Sequence, residues 1–383
     1  GRYISNFLSC VIHGDTYLTD VSPLPQVLAA LLLAAAAVII WYIFSEDKRF
    51  KFGNMAALVP LGLSPYFLQC FSYKYDAPYM ALSVLASVAP LLFWKYGYWK
   101  FFCAAAMGSL VMCLTYQASS GVFPMIAATV CFIKWNSGHK IREILTFVLY
   151  SAGGYVLGMV FFKVFLMPEA DTYVSASLPG FPEILSVMGR NFGRYFHYIE
   201  RDLKIEWLGL ILLLCLGFVL VMVRDSVKQW YAAFIMSIMT LLVMLLLAFG
   251  LYPILSKPLF APRAMYGVGV FLVLIGTVIS MAAKAYPAKA TYIILAWCFF
   301  VFSFSYGNAL REQQDYADFR IAAVINDLNS LDIMVDSGKK EMQLTGSIGH
   351  APVVKNMAGH NRMIKRLVPT QFQARMRPEE WKF

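Results

Sequence analysis

Ten apolar stretches, each near the length that crosses a bilayer, dominate this chain and leave few folds open to it. They run at 27–44, 55–71, 79–94, 101–116, 122–135, 144–166, 207–223, 231–251, 264–283 and 292–306. A spanning helix needs about 20 apolar residues. In lipid every backbone N–H and C=O must be bonded within the segment, so the stretches are read as helices. The 383 residues are 60% hydrophobic and 14% charged, far from the roughly 25% charge of soluble domains. The sequence therefore predicts an all-α polytopic membrane protein with about ten spanning helices at 1–307. A small α/β extramembrane domain is expected at 308–383.

The formal charge of +10 suggests nucleic acid in a soluble chain. Here it belongs to short loops that orient the spans, and no basic stripe with stacking aromatics lies outside them, so nucleic acid is excluded as a partner. One set of loops carries Lys48, Arg49 and Lys51, then Lys95 and Lys100, then Lys134, Lys140 and Arg142, then Arg224 and Lys228, then Lys284 and Lys289. The alternate short loops carry Lys74, then none, then Lys257 and Arg263. Positive-inside orientation puts the first set in the cytoplasm, and the second set with the C-terminal domain outside. The long loop 167–206 is placed outside too. Near 182–204 it holds a helical stripe of Ile184, Met188, Phe192, Tyr195, Ile199 and Leu203, backed by Arg190, Arg194 and Arg201. Such a helix lies in the headgroup layer or packs on the protein's own outer surface.

Beyond Tyr306, Ile321, Val324, Ile325, Leu328 and Leu331 predict an amphipathic helix, 336–338 a turn, 341–348 a strand and 361–367 a second helix. Six of the seven cysteines sit in apolar runs and only Cys10 does not. No Cys-x-x-Cys occurs, so neither a zinc site nor a disulfide framework is expected. The spans hold no relay of Asp, Glu or His and no inverted pair of interrupted helices, which weighs against a pump or transporter. Lys163 sits near the outer end of its span, where it can snorkel. Gly154-x-x-x-Gly158 reads as a close helix contact.

Chemistry is confined to the external loops. Asp20 precedes Ser22-Pro23 and is either a general base or a turn residue. Ser72-Tyr73-Lys74-Tyr75-Asp76-Ala77-Pro78-Tyr79 sets a carboxylate and an ammonium two residues apart among interfacial tyrosines, a pair that suits a phosphate and a sugar hydroxyl. In Lys257-Pro258-Leu259-Phe260-Ala261-Pro262-Arg263 the guanidinium is either a phosphate ligand or an interface anchor.

The runs Asp20–Gln26 and Ser72–Ser83, the pair Tyr116-Gln117 and the run Tyr306–Leu310 resemble the bacterial glucosyltransferase-II family, serotype-converting enzymes that decorate O-antigen. The motifs come in family order along nearly the whole chain, and the second is the specific one. The resemblance implies a C-type glycosyltransferase fold in the bacterial inner membrane. It implies transfer of a hexose, typically glucose, from undecaprenyl phosphate to an O-antigen sugar of lipopolysaccharide. Transfer is on the periplasmic face with inversion. Asp76 and Asp20 are then the candidate catalytic carboxylates. Arg2, Tyr73, Lys74, Tyr75, Tyr79, Gln117, Lys257 and Arg263 are the candidate substrate contacts. No metal or cofactor is expected where Lys and Arg supply the charge. The family places a span and an acidic loop ahead of its Gly-Arg pair, and this sequence starts at that pair, so the main base is expected upstream. The alternatives are a transporter or flippase of lipid-linked sugars, and an O-antigen polymerase or ligase.

Overall fold

The structure, a computed structural model, describes residues 2–45, 52–167, 178–282, 285–331 and 348–370. Among the described residues the regular elements are all helical. We label α1 Tyr3–His13, α2 Leu24–Phe44, and a bent pair, α3 Gly53–Leu63 and α4 Pro65–Ser72. Next come α5 Ala77–Tyr96, α6 Tyr98–Thr115, α7 Gln117–Asn136 and α8 Ile141–Leu166. They are followed by α9 Ile184–Asp202, α10 Ile205–Arg224, α11 Trp230–Leu247, α12 Gly267–Met281 and α13 Tyr286–Ser330. The last two are α14 Pro352–His360 and α15 Arg362–Leu367.

Eight of these helices are long and apolar enough to cross a membrane, nine if the bent pair is one span, and the chain is a multi-pass membrane protein. The expectation of about ten is corrected at two places. The apolar run 55–71 is not one straight helix: its halves meet at 56°. Pro65 lacks an N–H and pushes Ser64 out of the helical region, to ψ 141°. The Ser64 hydroxyl then caps the second half, accepting from Phe67 N. The run 264–283 yields a helix of only 15 residues, or ~22 Å at 1.5 Å per residue, short of the ~30 Å hydrocarbon core. Every residue from Gly267 to Ser280 is buried, so other helices, not lipid, surround α12.

Small residues allow that packing. A Cβ on Gly269 would meet Pro60 O and Ser64 Oγ at the bend, and one on Gly276 would meet Ala57. The expected contact at Gly154 and Gly158 is present: their Cβ positions point at the Phe102 and Ala106 carbonyls of α6. Gly267 is tighter still, since its Cβ would run into the Ala248 backbone carbonyl, which cannot rotate away. Gly267→Ala should cost about 1–3 kcal/mol, the scale of an overpacked core. The check is thermal unfolding in detergent. An unchanged midpoint would show that the approach is looser than this geometry.

The chain divides into two compact units, Gly1–Tyr198 with Glu206–Phe300, and Ile199–Ile205 with Val301–Phe383. In the first, α9 lays its apolar stripe on protein: Tyr195 is fully buried and stacks on Phe249 at 4.6 Å. In the second, Val354, Met363, Ile364 and Leu367 are buried, and buried Asp202 is paired with Arg366. Gln313 bridges the chain, donating to Gly349 O and accepting from Ala351 N, both at 3.0 Å. The α/β character expected for this region is corrected: its described elements are helices. The expected turn at 336–338 and strand residues 341–347 lie outside the described residues. The second expected helix is α15, capped by the Asn361 side chain, which accepts from Met363 N. The first expected helix is continuous with the last span: α13 runs for 45 residues, its one proline, Pro287, lies in the first turn, and Gly307-Asn308 does not break it.

Candidate active site

Loops and helix ends of the first unit bring the sequence candidates together. Pro78, near the start of α5, and Pro65, at the start of α4, fix those two helix starts. The turn between α4 and α5 therefore presents Tyr73, Lys74, Tyr75 and Asp76 at helix ends. Asp76 is the residue before α5, yet its side chain makes no capping bond. Its described partner is Arg2, whose Nη1 donates to Oδ2 at 3.4 Å, with both side chains about half exposed. The carboxylate retains unused acceptor positions.

Arg2 also stands over the Tyr116 ring, 5.3 Å from its centroid. Tyr116 in turn donates from its hydroxyl to the Arg263 carbonyl at 3.3 Å. The Arg263 backbone N–H donates to Gln69 Oε1 at 2.7 Å. The Arg263 side chain donates from Nη1 to the Tyr73 hydroxyl at 2.6 Å and stacks over that ring, with Cζ 4.9 Å from the centroid. Tyr252 lies within electrostatic reach of both arginines. Burial pushes its phenol up to about 12, and Arg2 and then Arg263 pull it back.

Asp20 is differently engaged. Its Oδ1 accepts from Ser22 N at 3.1 Å and Ser22 Oγ at 2.6 Å, an Asx turn, while Oδ2 pairs with Lys74 Nζ at 2.9 Å. The Ser22 hydroxyl and then Lys74 hold its carboxyl well below the usual range. The bonds of the turn expected at Asp20, ahead of Ser22-Pro23, are thus present. The Tyr75 ring lies tilted against His13 of α1, centroids 5.6 Å apart, and Tyr79 is buried in the first turn of α5. Gln117 and Lys257 are exposed and make no hydrogen bond or ion pair with described residues.

The cluster thus joins Arg2, Asp76, Tyr73 and Arg263 through Tyr116, and Lys74 of the same α4–α5 turn reaches Asp20, ahead of α2. Sequence reasoning missed Gln69, Tyr252 and His13. Gln69 carried a faint signal, as the only amide in an apolar run. Among the described residues no group of three or more His, Cys, Asp or Glu is placed to hold a metal ion.

The family model described as "Glucosyl transferase GtrII" matches residues 1–274. The chain belongs to that family. GtrII membership makes it a glucosyltransferase with a sugar donor and acceptor as partners, and it covers every residue of the cluster. The chain is also similar to a protein of Salmonella phage P22, described as an uncharacterized 55.3 kDa protein in the gtrB 5' region. The two are 21% identical over 386 residues, covering 96% of this chain and 78% of that protein. No solved structure matches the chain.

Proposed function

We propose that this GtrII glucosyltransferase moves glucose from a polyprenyl-phosphate donor, undecaprenyl phosphate in the bacterial inner membrane, to a hydroxyl of the lipopolysaccharide O-antigen. The observation that carries the reading is that Tyr116 ties two arginines together beside the Asp76 carboxylate: the Arg2 guanidinium stands over its ring, its hydroxyl holds the Arg263 backbone carbonyl, and the Arg263 guanidinium lies on Tyr73. The acceptor oxygen attacks the anomeric carbon as the bond from that carbon to the phosphate oxygen breaks. One displacement inverts the centre. The polyprenyl phosphate leaves as an anion, and cations already aimed at it stabilise the developing charge without reorganising. Arg263 matches phosphate oxygens in a fork that a lysine cannot offer, and Arg2 and Lys74 add charge. The hydroxyl proton passes to a carboxylate. Asp76 is the candidate in this chain. Tyr73, Tyr75 and Tyr79 are the candidate sugar contacts, Gln117 follows Tyr116 for a hydroxyl contact, and exposed Lys257 adds a cation from the loop that carries Arg263. Asp20 acts by holding Lys74 in place.

A lipid-linked donor also needs an apolar berth. Among α7, α8 and α11 lies a cavity of about 700 Å³ lined by residues including Phe123, Ala127, Val148, Tyr155 and Val243. Its Tyr155 donates to Ser120 O, four residues from Tyr116, and this cavity is the proposed berth for the prenyl chain. Purified protein incubated with a panel of polyprenyl-phosphate sugars and O-antigen, followed by mass spectrometry of the glycan, tests the reading. A hexose added only from the polyprenyl-phosphate glucose arm is expected. No product from any polyprenyl-phosphate sugar would overturn it.

The site and the second unit are assigned to the periplasm, from the alternation of basic loops. With the seven native cysteines replaced, Glu312→Cys should react with an impermeant thiol reagent in intact spheroplasts, while Ser137→Cys should react only after lysis. Reversed labelling would invert the topology.

A further inference from the structure

The Tyr252–Arg263 loop carries Arg263 at one end and Tyr252 at the other, and it contains Pro253, Pro258 and Pro262. Three prolines remove three backbone donors and forbid regular ladders; short turns satisfy Tyr252, Ala261 and Pro262 O locally, and other carbonyls between them find partners outside the loop. α9 supplies them. Asn191, 1% exposed, donates from Nδ2 to Pro253 O at 2.9 Å and to Leu255 O at 3.0 Å. Both of its amide hydrogens are thereby used. One helical turn on, on the same face, Tyr195 donates to Leu259 O at 3.0 Å. Its ring is clasped between Phe249 at 4.6 Å and Phe260 at 4.8 Å. The loop ends are pinned separately: Leu251 N donates to Ser120 Oγ, and Arg263 is held by Gln69 and Tyr116. Between them, Pro253, Leu255 and Leu259 are gripped by two side chains four residues apart on one helix.

We propose that Asn191 and Tyr195 are positioning residues: α9 is the splint that holds the Tyr252–Arg263 loop in the shape that aims Arg263 and Tyr252 at the donor phosphate. The splint explains why a helix with a basic outer face carries a buried asparagine and a fully buried tyrosine on its inner face. Headgroup attraction alone would ask only for apolar residues there. The proposal rests on Arg263 being a phosphate ligand.

The experiment compares Tyr195→Phe, Asn191→Leu and Leu185→Ser in the full chain in nanodiscs. Leu185 is 77% exposed on the outer face of α9 and controls for general loosening of the helix. Two readouts are taken, amide exchange at residues 254–261 and the KM for polyprenyl-phosphate glucose. Tyr195→Phe, which keeps the stacked ring and removes one hydrogen bond, should speed loop exchange about five- to tenfold and raise donor KM by a similar factor, the scale of one such bond. Asn191→Leu should do more, and Leu185→Ser should do neither. Unchanged exchange in both splint variants overturns the proposal, and so does faster exchange with unchanged KM. Arg263→Ala runs beside them. If it too leaves KM unchanged, the phosphate reading has failed, and loop exchange alone then decides the splint.

Discussion

Asp76→Asn should lower glucosyl transfer by about two orders of magnitude or more, the usual scale of general acid–base catalysis, while leaving abundance in the membrane unchanged. The position just before α5 makes the prediction sharp. A carboxylate there would ordinarily be explained as a helix cap, and asparagine caps as well as aspartate. Asp76 makes no capping bond, so its place in the fold does not account for its charge. Its long contact to Arg2, 3.4 Å between half-exposed groups, is an ion pair worth little to stability, and losing it should not unfold the chain. Asparagine keeps size and hydrogen-bonding capacity and removes only charge and basicity. Initial rates on polyprenyl-phosphate glucose and O-antigen, normalised to protein in the membrane, make the measurement. A variant within about threefold of the parent, far inside that catalytic scale, would remove the Asp76 charge from the mechanism. Asp20→Asn is the contrasting variant, because Asp20 is bound into the Ser22 turn and the Lys74 pair and should lose much less.

What the sequence made legible follows its period and its punctuation. Apolar windows located each candidate spanning helix among the described residues, since a crossing needs about 20 apolar residues. Gly154 and Gly158 announced a helix contact by spacing, and the α4–α5 turn announced itself as a dense polar motif between two apolar runs. The bend at Ser64 was written in Ser64-Pro65, yet a hydropathy window cannot see it, because bent and straight helices of the same residues have the same composition. The full burial of α12 was equally invisible, for the same apolar residues suit lipid or protein neighbours. Inside the site the missing pieces are those whose partners lie far along the chain. Gln69 bonds the backbone of Arg263, 194 residues away, and no local pattern records that. The stripe of α9 left open whether the helix lay in headgroups or on protein, and it did not record the long-range bonds of Asn191 and Tyr195 to the 252–263 loop.

Arg263→Ala should cut kcat/KM for the donor by about 10²- to 10³-fold, the loss found when one preorganised donor to a developing oxyanion is removed. The loop does not depend on that side chain for its place. The backbone of Arg263 is held at both ends, its N–H by Gln69 Oε1 and its carbonyl by Tyr116, so truncation beyond Cβ leaves the anchoring bonds intact. What is lost is the guanidinium and its stack over Tyr73. Arg263→Lys separates charge from shape. It restores a cation but not the planar fork or the stacked arrangement, and should recover only part of the loss. If the phosphate is held equally in ground and transition states, the loss appears in KM; if charge build-up on the leaving phosphate is what Arg263 meets, it appears in kcat as well. The cation's role in leaving-group departure predicts the second pattern. A donor with a poorer leaving group should therefore widen the gap between parent and Arg263→Ala. Equal kcat/KM for parent and Arg263→Ala, at matched membrane abundance, would take Arg263 out of the site and leave Arg2 and Lys74 as the cations to be tested.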